Sequence, residues 1–113
     1  MDCIFCKIIN NEIPSTKVYE DDFVYAFKDI NPQAPVHIVI IPKKHFNSIN
    51  DIDLKTDSAY IFAIFSAIQK IAEEQHLENG FRIINNCGRD GAQSVLHLHF
   101  HLLGGCQLSE KIL

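Results

Sequence analysis

Three of the six histidines of this chain, His97, His99 and His101, stand at alternate positions in the stretch SVLHLHFHLLGG, residues 94–105. This period of two is typical of a β-strand, in which residues two apart lie on the same face. A single histidine on a strand is usually a surface or hydrogen-bonded core residue, but three in register share one face. Neighbouring imidazoles disfavour one another's protonation, so we expect a largely neutral row that can bind metal, accept protons or attack an electrophile.

The segment NNCGRDGAQS, residues 85–94, leads into the histidine row. Its two glycines, its asparagines and its serine are suited to aiming backbone N–H groups and a hydroxyl at an anion. Phosphate is a good candidate, because a neutral imidazole can attack phosphorus while another protonates the group that leaves. The alternative interpretation is a tight turn followed by three incidental histidines.

A second motif, CIFC, places Cys3 and Cys6 three residues apart near the N-terminus. A structural disulfide is improbable in a cytoplasmic protein, which leaves a metal site, a redox pair or two inert thiols. Zinc prefers four ligands, so a metal site needs two more. From the residues alone the candidates are His45, His76, Cys87, Cys106 and the histidine row.

Composition narrows the class of protein. The 113 residues suit one domain, residues 1–113, with a modest core. A net charge of −4 with scattered lysines offers no basic stripe, so we expect no binding to nucleic acid polymers. No run approaches the roughly 18 to 20 apolar residues of a membrane span, and the first residues lack a basic segment followed by an apolar one. We therefore expect a soluble, cytoplasmic protein.

The remaining pattern predicts an α+β domain. CIFCKIINNEI favours a short helical turn, TKVYED and FVYAFKD a hairpin, and VHIVIIP a strand that ends at Pro42. From Asp57 to His76 the apolar spacing is that of one long helix, which we expect to stop near Asn79 and Gly80. FRIINN and the histidine row are the fourth and fifth strands. We expect the helix to cover one sheet face and to leave the histidine face open. The predicted apolar stripe of the helix is Ile61, Ile64, Phe65, Ile68, Ile71 and Ala72.

The stretch HLHFHLL resembles the signature of the histidine triad family. The resemblance extends along nearly the whole chain, through IFCKIINNEIP, VYEDD, AFKDINPQAPVHIVIIPKKH and NNCGRDGAQS, and is to the branch of histidine triad nucleotide-binding proteins. It implies a five-stranded antiparallel sheet with one long helix and a short N-terminal helix. It also implies a homodimer in which two sheets join into one of ten strands.

The resemblance implies hydrolysis of purine nucleoside phosphoramidates. The middle histidine, His99, would attack the α-phosphorus and form a covalent nucleotidyl intermediate, from which water releases the nucleoside monophosphate. His101 would contact the phosphate and protonate the leaving amine, assisted by the Ser94 hydroxyl. His37 matches the fourth histidine of the family's pocket.

The resemblance also implies where a purine nucleotide of the AMP or GMP type binds. Asn86 and the backbone near Gln93 match phosphate-holding groups. Asp29 matches the carboxylate that holds the ribose hydroxyls, and Ile30 follows it. The matches to the apolar base pocket are Ile4, Phe5, Ile8, Ile13 and Phe27. For Ile13 and Phe27, ordinary core packing is an equal alternative.

In relatives that carry an N-terminal C-x-x-C, the resemblance implies one structural zinc ion bound by the two cysteines, the histidine after IPKK and the first triad histidine. These residues are Cys3, Cys6, His45 and His97. The chain departs from the family in having Ala92 where the loop commonly has glycine, and in a tail, CQLSEKIL, without the tryptophan of some relatives. Cys87 and Cys106 match no functional position, and we interpret them as packing residues or spare thiols.

Two other functions compete with the phosphoramidase. A dinucleoside polyphosphate hydrolase is disfavoured, because that branch tends to follow the triad with Pro-Arg and here Gly104 and Gly105 follow. A nucleotide-binding or scaffolding protein is the alternative outside enzymes, although the complete set of His97, His99, His101 and Ser94 argues for retained catalysis.

Overall fold

The computed structural model describes residues 3–112 and confirms the α+β prediction. Its helices and strands follow in the order α1 (Ile4–Ile9), β1 (Lys17–Glu20), β2 (Val24–Lys28), β3 (Val36–Pro42), α2 (Ser58–Glu74), β4 (Arg82–Ile84) and β5 (Phe100–Gly104). A short 3₁₀ turn over Ile49–Asp51 precedes α2. Within the described range, neither helix combines the length and the apolar run required to cross a bilayer.

The five strands form one antiparallel sheet in the order β1-β2-β3-β5-β4. β5 lies between β3 and β4, and this register sets His101 opposite Val39 on one side and Ile84 on the other. The last histidine of the row thereby lies on an interior strand, with a hydrogen-bonded neighbour on each side.

Helix α2 covers one sheet face and closes the larger core. Small and branched residues three and four apart make its buried stripe, including Ile64, Ile68 and Ile71. Two members of the predicted stripe differ: Ile61 is half-buried and Phe65 is 54% exposed. Ala63 and Ala67 take the buried positions instead, because their small side chains let the helix lie close to the sheet.

Helix α1 covers the opposite face and closes a second core. Phe5 and Ile8 from α1 pack against Val39 and Ile41, which alternate along β3 with the residues that face α2. β3 is therefore buried on both faces, which explains its continuous apolar run. The expectation that the histidine face is open was wrong, since His97 and His99 expose only 0% and 4% beneath this cover.

The last two strands are shorter than predicted. β4 spans three residues, and β5 begins only at Phe100, so His97 and His99 precede the strand. The reason is a change of backbone partner, because the N–H of Leu98 donates to the carbonyl of Phe46 at 2.7 Å instead of to a neighbouring strand. The alternation of faces still holds, since Leu98 packs in the α2 core while the histidines face the α1 side.

Candidate active site and metal centre

Four residues from three separate segments of the chain meet in one cluster beside α1. Cys3 caps the N-terminus of α1, where its Sγ accepts from the Cys6 N–H, and Cys6 lies in the first turn. His45 follows β3 and His97 precedes β5. One ligand atom from each of the four lies within 4.8 Å of all the others.

The hydrogen bonds of the two histidines fix which ring nitrogen faces the thiols. Nε2–H of His97 donates to the carbonyl of Pro42 at 2.9 Å, which leaves the Nδ1 lone pair 3.3 Å from Cys3 Sγ. Nε2–H of His45 donates to Oδ1 of Asn47 at 2.8 Å, which leaves its Nδ1 lone pair 3.3 Å from Cys6 Sγ. Such outer partners hold histidines in the tautomer that binds metal.

The spacing of these atoms matches a tetrahedral metal site. Zn–S and Zn–N bonds of about 2.3 and 2.05 Å separate sulfur and nitrogen ligands by about 3.6 Å. Nδ1 of His97 lies 3.3 Å from one thiol and 3.6 Å from the other. Of the ligands that the sequence left open, the structure brings His45 and His97 to the cysteine pair, while His76, Cys87 and Cys106 are not in this cluster.

Burial shifts the pKa of two members of this cluster, His97 and Cys6. The pKa of His97 falls to about 4, because burial and, to a smaller extent, the neighbouring His45 and His99 lower it more than the bond to Pro42 raises it. His97 is therefore neutral at pH 7. The pKa of the Cys6 thiol rises to about 11, first through burial and then through the adjacent Cys3. Cys6 must therefore lose a proton when it binds a metal.

His99 has its tautomer fixed by the backbone. Its Nδ1–H donates to the carbonyl of His97 at 2.8 Å, so Nε2 carries the free lone pair. The edge of the Phe5 ring packs against the imidazole, with centroids 5.1 Å apart. The carbonyl of His99 in turn accepts from Nδ2 of Asn85 at 2.9 Å, which holds the segment before β5 in place. A nucleophile needs this combination of a free lone pair and a fixed ring.

His37 and His101 form a second hydrogen-bonded unit. Nδ1 of His37 accepts from the backbone N–H of Gln33 at 3.0 Å, so the proton of His37 is on Nε2. That Nε2–H donates to Nδ1 of His101 at 2.9 Å and lies 3.4 Å from the carboxylate of Asp29. His101 consequently carries its proton on Nε2. Its ring lies 5.1 Å from that of His99, so a lone pair and an N–H donor stand side by side.

The pKa of His101 is lowered, first by burial and then by the adjacent His99 and His37, while Asp29 acts in the opposite direction. For His97 and His101 the predicted neutrality thus has burial as its main cause, with the neighbouring imidazoles as the smaller one.

Asp29, His37 and His101 also lie close enough to bind a metal ion. A metal on Nε2 of His37 would require the proton on Nδ1, where the N–H of Gln33 already points at the ring. Two N–H groups would then face each other. The hydrogen bonds therefore favour a proton-carrying chain over a second metal site at these residues.

The loop before the histidines is closed by its own hydrogen bonds. Gln93 forms two hydrogen bonds with the backbone of Gly88. The N–H of Gln93 donates to the Gly88 carbonyl, and the side-chain Oε1 of Gln93 accepts from the Gly88 N–H. Nε2 of Gln93 donates to the carbonyls of Asn47 and Val95. These contacts give Gln93 a role in shaping the loop. Ser94 is exposed and Asn86 half-buried in the same segment.

The residues predicted for the base pocket fall into two groups. Phe5, Ile8 and Phe27 are at least nine-tenths buried in the α1 core, and Ile13 is half-buried against it. Ile4 and Ile30 expose 47% and 99% and keep surface for a ligand. Ile30 lies next to Asp29, at the end of β2.

Sequence reasoning missed Asn47, Asn85 and the backbone groups of Gln33 and Pro42, which orient the chemical residues. Their only sequence signal is proximity to a histidine or to the loop. Backbone carbonyls and N–H groups exist at almost every residue, so no pattern of residue types reveals which of them are used.

Comparison with known proteins agrees with this arrangement. The chain matches the HIT domain family over residues 10–108. It is 48% identical over 110 residues to the purine nucleoside phosphoramidase of Escherichia coli strain K12, covering 96% of this chain and 92% of that protein. It is 48% identical over 107 residues to a 14 kDa zinc-binding protein of Zea mays, covering 94% and 84%. A solved histidine triad protein from Clostridium difficile is 55% identical with a TM-score of 0.93, covering 98% and 96%.

The family match and the full-length relatives place this chain in the HIT domain family, the histidine triad proteins that its sequence resembles.

Proposed function

We propose that this protein hydrolyses the P–N bond of purine nucleoside phosphoramidates and releases the nucleoside monophosphate. The observation that carries the proposal is the pair of complementary tautomers: His99 has its Nε2 lone pair free, and the adjacent His101 carries a proton on Nε2. The 48% identity to a purine nucleoside phosphoramidase over 96% of the chain supports this substrate class.

The two histidines divide the reaction between them. When the anionic phosphate binds beside it, His101 takes up a second proton from solvent. Nε2 of His99 then attacks the α-phosphorus, the P–N bond to the leaving amine breaks, and His101 gives its Nε2 proton to that amine and becomes neutral again. Water then attacks phosphorus, its proton goes to His101, and the bond to His99 breaks. His37 is the positioning residue that keeps the proton of His101 on the side that faces the substrate.

The binding groups complete this proposal. Asp29 is proposed to hold the ribose hydroxyls beside Ile30, while Asn86, Ser94 and the backbone near Gln93 hold the phosphate. The base is proposed to lie on Ile4 and on the exposed edges of the α1 core, formed by Phe5, Ile8, Ile13 and Phe27.

We propose that Cys3, Cys6, His45 and His97 hold one zinc ion. The ligand spacing and the two fixed tautomers support this assignment, as does the likeness to a zinc-binding protein. Two thiolates and two neutral imidazoles make a closed four-ligand site, in which zinc supplies a structural cross-link between α1 and the sheet. The free thiols suit a reducing, cytoplasmic location, which belongs to the proposal.

We further propose that residues 1–113 are one domain that acts as a homodimer. Phe62, Phe65 and Leu96 expose 75%, 54% and 64%, and Phe81 precedes the three-residue edge strand β4. A second copy can cover these side chains and join its own β4 to form a ten-stranded sheet. Sedimentation at micromolar concentration should show a dimer, and Phe62→Glu with Phe65→Glu should give a monomer. A wild-type monomer would contradict this.

The proposed activity is tested by comparing turnover of adenosine 5'-phosphoramidate with that of diadenosine polyphosphates. We expect the phosphoramidate to have the higher kcat/KM. His101→Ala should lower turnover of substrates with amine leaving groups more than that of substrates with acidic leaving groups, because an amine must gain a proton as it departs. A preference for the polyphosphates would favour the competing hydrolase, and binding without turnover would favour the nucleotide-binding or scaffolding alternative.

A further inference from the structure

The metal cluster and the nucleotide site share structural parts. Cys3 and Cys6 flank Phe5 on a helix of six residues, and the Phe5 ring packs edge-on against both His97 and His99, with centroids 5.8 and 5.1 Å away. His97 offers Nδ1 to the cluster while its carbonyl accepts the Nδ1–H of His99. Any shift of α1 or of His97 therefore acts directly on the proposed nucleophile.

A separate connection leaves the cluster through His45. Nε2–H of His45 donates to the side chain of Asn47, and the carbonyl of Asn47 accepts from Nε2 of Gln93 at 2.6 Å. The other end of the Gln93 amide accepts from the N–H of Gly88. Through its side chain on one side and its backbone carbonyl on the other, Asn47 thus links one proposed metal ligand to the loop proposed to hold phosphate.

From these two connections we infer that zinc and nucleotide bind cooperatively: each raises the affinity of this protein for the other. The inference rests on the proposed function, since it takes the zinc cluster and the nucleotide site from there. It makes Phe5 and Asn47 positioning residues that link the two sites.

The sign of the effect follows from what holds α1 in place. Cys3 and Cys6 face His45 and His97 across S···N distances of 3.3 to 3.6 Å, and Cys6 is half-buried at the edge of the second core. With a metal held by these four residues, α1 would be joined to the segments that carry His45 and His97, and Phe5 and Asn47 would be fixed in place before the nucleotide binds. A nucleotide that binds the metal-free protein must order the same groups itself, which weakens its binding.

Reciprocity supplies a test that does not depend on activity. Adenosine monophosphate and guanosine monophosphate are titrated calorimetrically into zinc-loaded and metal-free protein, and zinc affinity is measured against a competing chelator with and without the same nucleotide. We expect zinc to tighten nucleotide binding by about fivefold or more, and the nucleotide to tighten zinc binding by the same factor.

Variants show whether the two connections carry the effect. Asn47→Ala removes the acceptor of His45, and we expect the cooperativity factor to fall towards one although both ligands still bind. Asn47→Asp keeps an acceptor oxygen and should restore the factor. Phe5→Leu should lower it through the other connection. Asn79→Ala, at a residue outside both connections, is the matched control and should keep the wild-type factor.

The outcomes separate this inference from the proposed function. If zinc and nucleotide both bind and neither affinity depends on the other, the cooperativity is disproved and the proposed function stands. If the factor is unchanged in both Asn47→Ala and Phe5→Leu, the assigned connections are wrong. If the protein binds no zinc, the zinc assignment fails together with the inference, and the proposed activity is judged by turnover alone. If it binds no nucleotide, the proposed function fails together with the inference.

Discussion

Both faces of the sheet are buried, but the side chains that bury them differ in chemical type. The α2 face is closed by aliphatic residues such as Ile64, Ile68 and Leu102, and a helix of seventeen residues supplies its cover. The α1 face is covered by a helix of six residues and contains His97 and His99 as well as apolar side chains. The first face needs only packing to be stable. The second needs partners for buried polar groups.

Those partners make the second face functional. Each buried histidine there has its tautomer set by a backbone group: the carbonyl of Pro42 for His97, the carbonyl of His97 for His99 and the N–H of Gln33 for His37. No buried side-chain nitrogen or oxygen among the described residues lacks a hydrogen-bond partner. Because burial without a partner is costly, the same contacts that satisfy the histidines also fix their tautomers. Stability and chemical readiness therefore depend on the same bonds on this face.

The largest expected effect is the loss of turnover when His99, on the α1 face, is replaced. His99→Asn keeps an N–H donor for the His97 carbonyl and removes the nucleophilic Nε2, so turnover should fall by about 10³-fold or more while nucleotide affinity changes little. Rapid quenching of the wild-type protein with labelled substrate should trap an acid-labile adduct on the peptide that spans His97 to His101. Near-normal turnover of the variant, or an adduct on His37, would disprove the mechanism.

The next effect concerns stability. Cys3→Ser with Cys6→Ser should abolish zinc binding and lower the free energy of unfolding by about 4 kcal/mol, the stabilisation from a ligand at roughly a thousand times its Kd. Activity should fall less than stability. The matched variant Leu102→Ala, on the α2 face, should lower the free energy of unfolding by a comparable amount, about 2–5 kcal/mol. Elemental analysis should still find one zinc ion per chain in this variant. Unchanged zinc content in the cysteine variant would show the ligand assignment to be wrong.

The third expected effect is a dependence of stability on pH in the metal-free protein, which arises from the α1 face because His97 is buried there. Burial lowers the pKa of folded His97 to about 4, whereas the unfolded side chain titrates near its ordinary value of 6.5. The unfolded state thus binds the extra proton first, and stability should fall as pH drops from 6.5 towards 4, by an amount on the order of 3 kcal/mol. Urea unfolding at a series of pH values measures this. His97→Gln should flatten the dependence, whereas His76→Gln, at an exposed residue, should leave it unchanged.

The smallest expected effect is in the loop. Ala92 has φ 57°, a left-handed conformation that favours glycine. Ala92→Gly should therefore stabilise the protein by roughly 0.5 to 1 kcal/mol. Gly91→Ala should do the reverse, because a Cβ there would lie 2.6 Å from the carbonyl oxygen of Cys87. Thermal unfolding of the two variants measures the difference, and equal midpoints would contradict this account of the loop.

Local patterns predicted much of the α2 face. The hairpin, β3 and α2 each have a period or a continuous apolar run that neighbouring residues establish among themselves. The start of β5 escaped prediction because the partner of Leu98 N–H is Phe46, which lies fifty-two positions earlier by subtraction of their numbers. Phe65 was predicted to lie in the core because its spacing fits the apolar stripe. It is exposed instead, because α2 packs closely on the sheet through the small residues Ala63 and Ala67.

The α1 face was predictable in its residue types but not in its connections. The histidine row and the C-x-x-C motif point to the chemistry, yet Cys3 and His97 are 94 residues apart and no local pattern joins them. The resemblance to the histidine triad family supplied that pairing, and the structure confirms that the four side chains meet. The tautomers rest on Gln33, Pro42 and Asn47, whose roles follow only from the folded geometry.

The bond between His99 and the carbonyl of His97 affects how such a sequence can diverge. A peptide carbonyl survives every substitution at its own residue, whereas an imidazole does not. Position 97 can therefore lose its metal ligand by mutation while the group that orients the nucleophile is inherited unchanged. Descendants of this chain could discard the cysteines and the metal in separate steps, and each intermediate would still have His99 in its reactive tautomer.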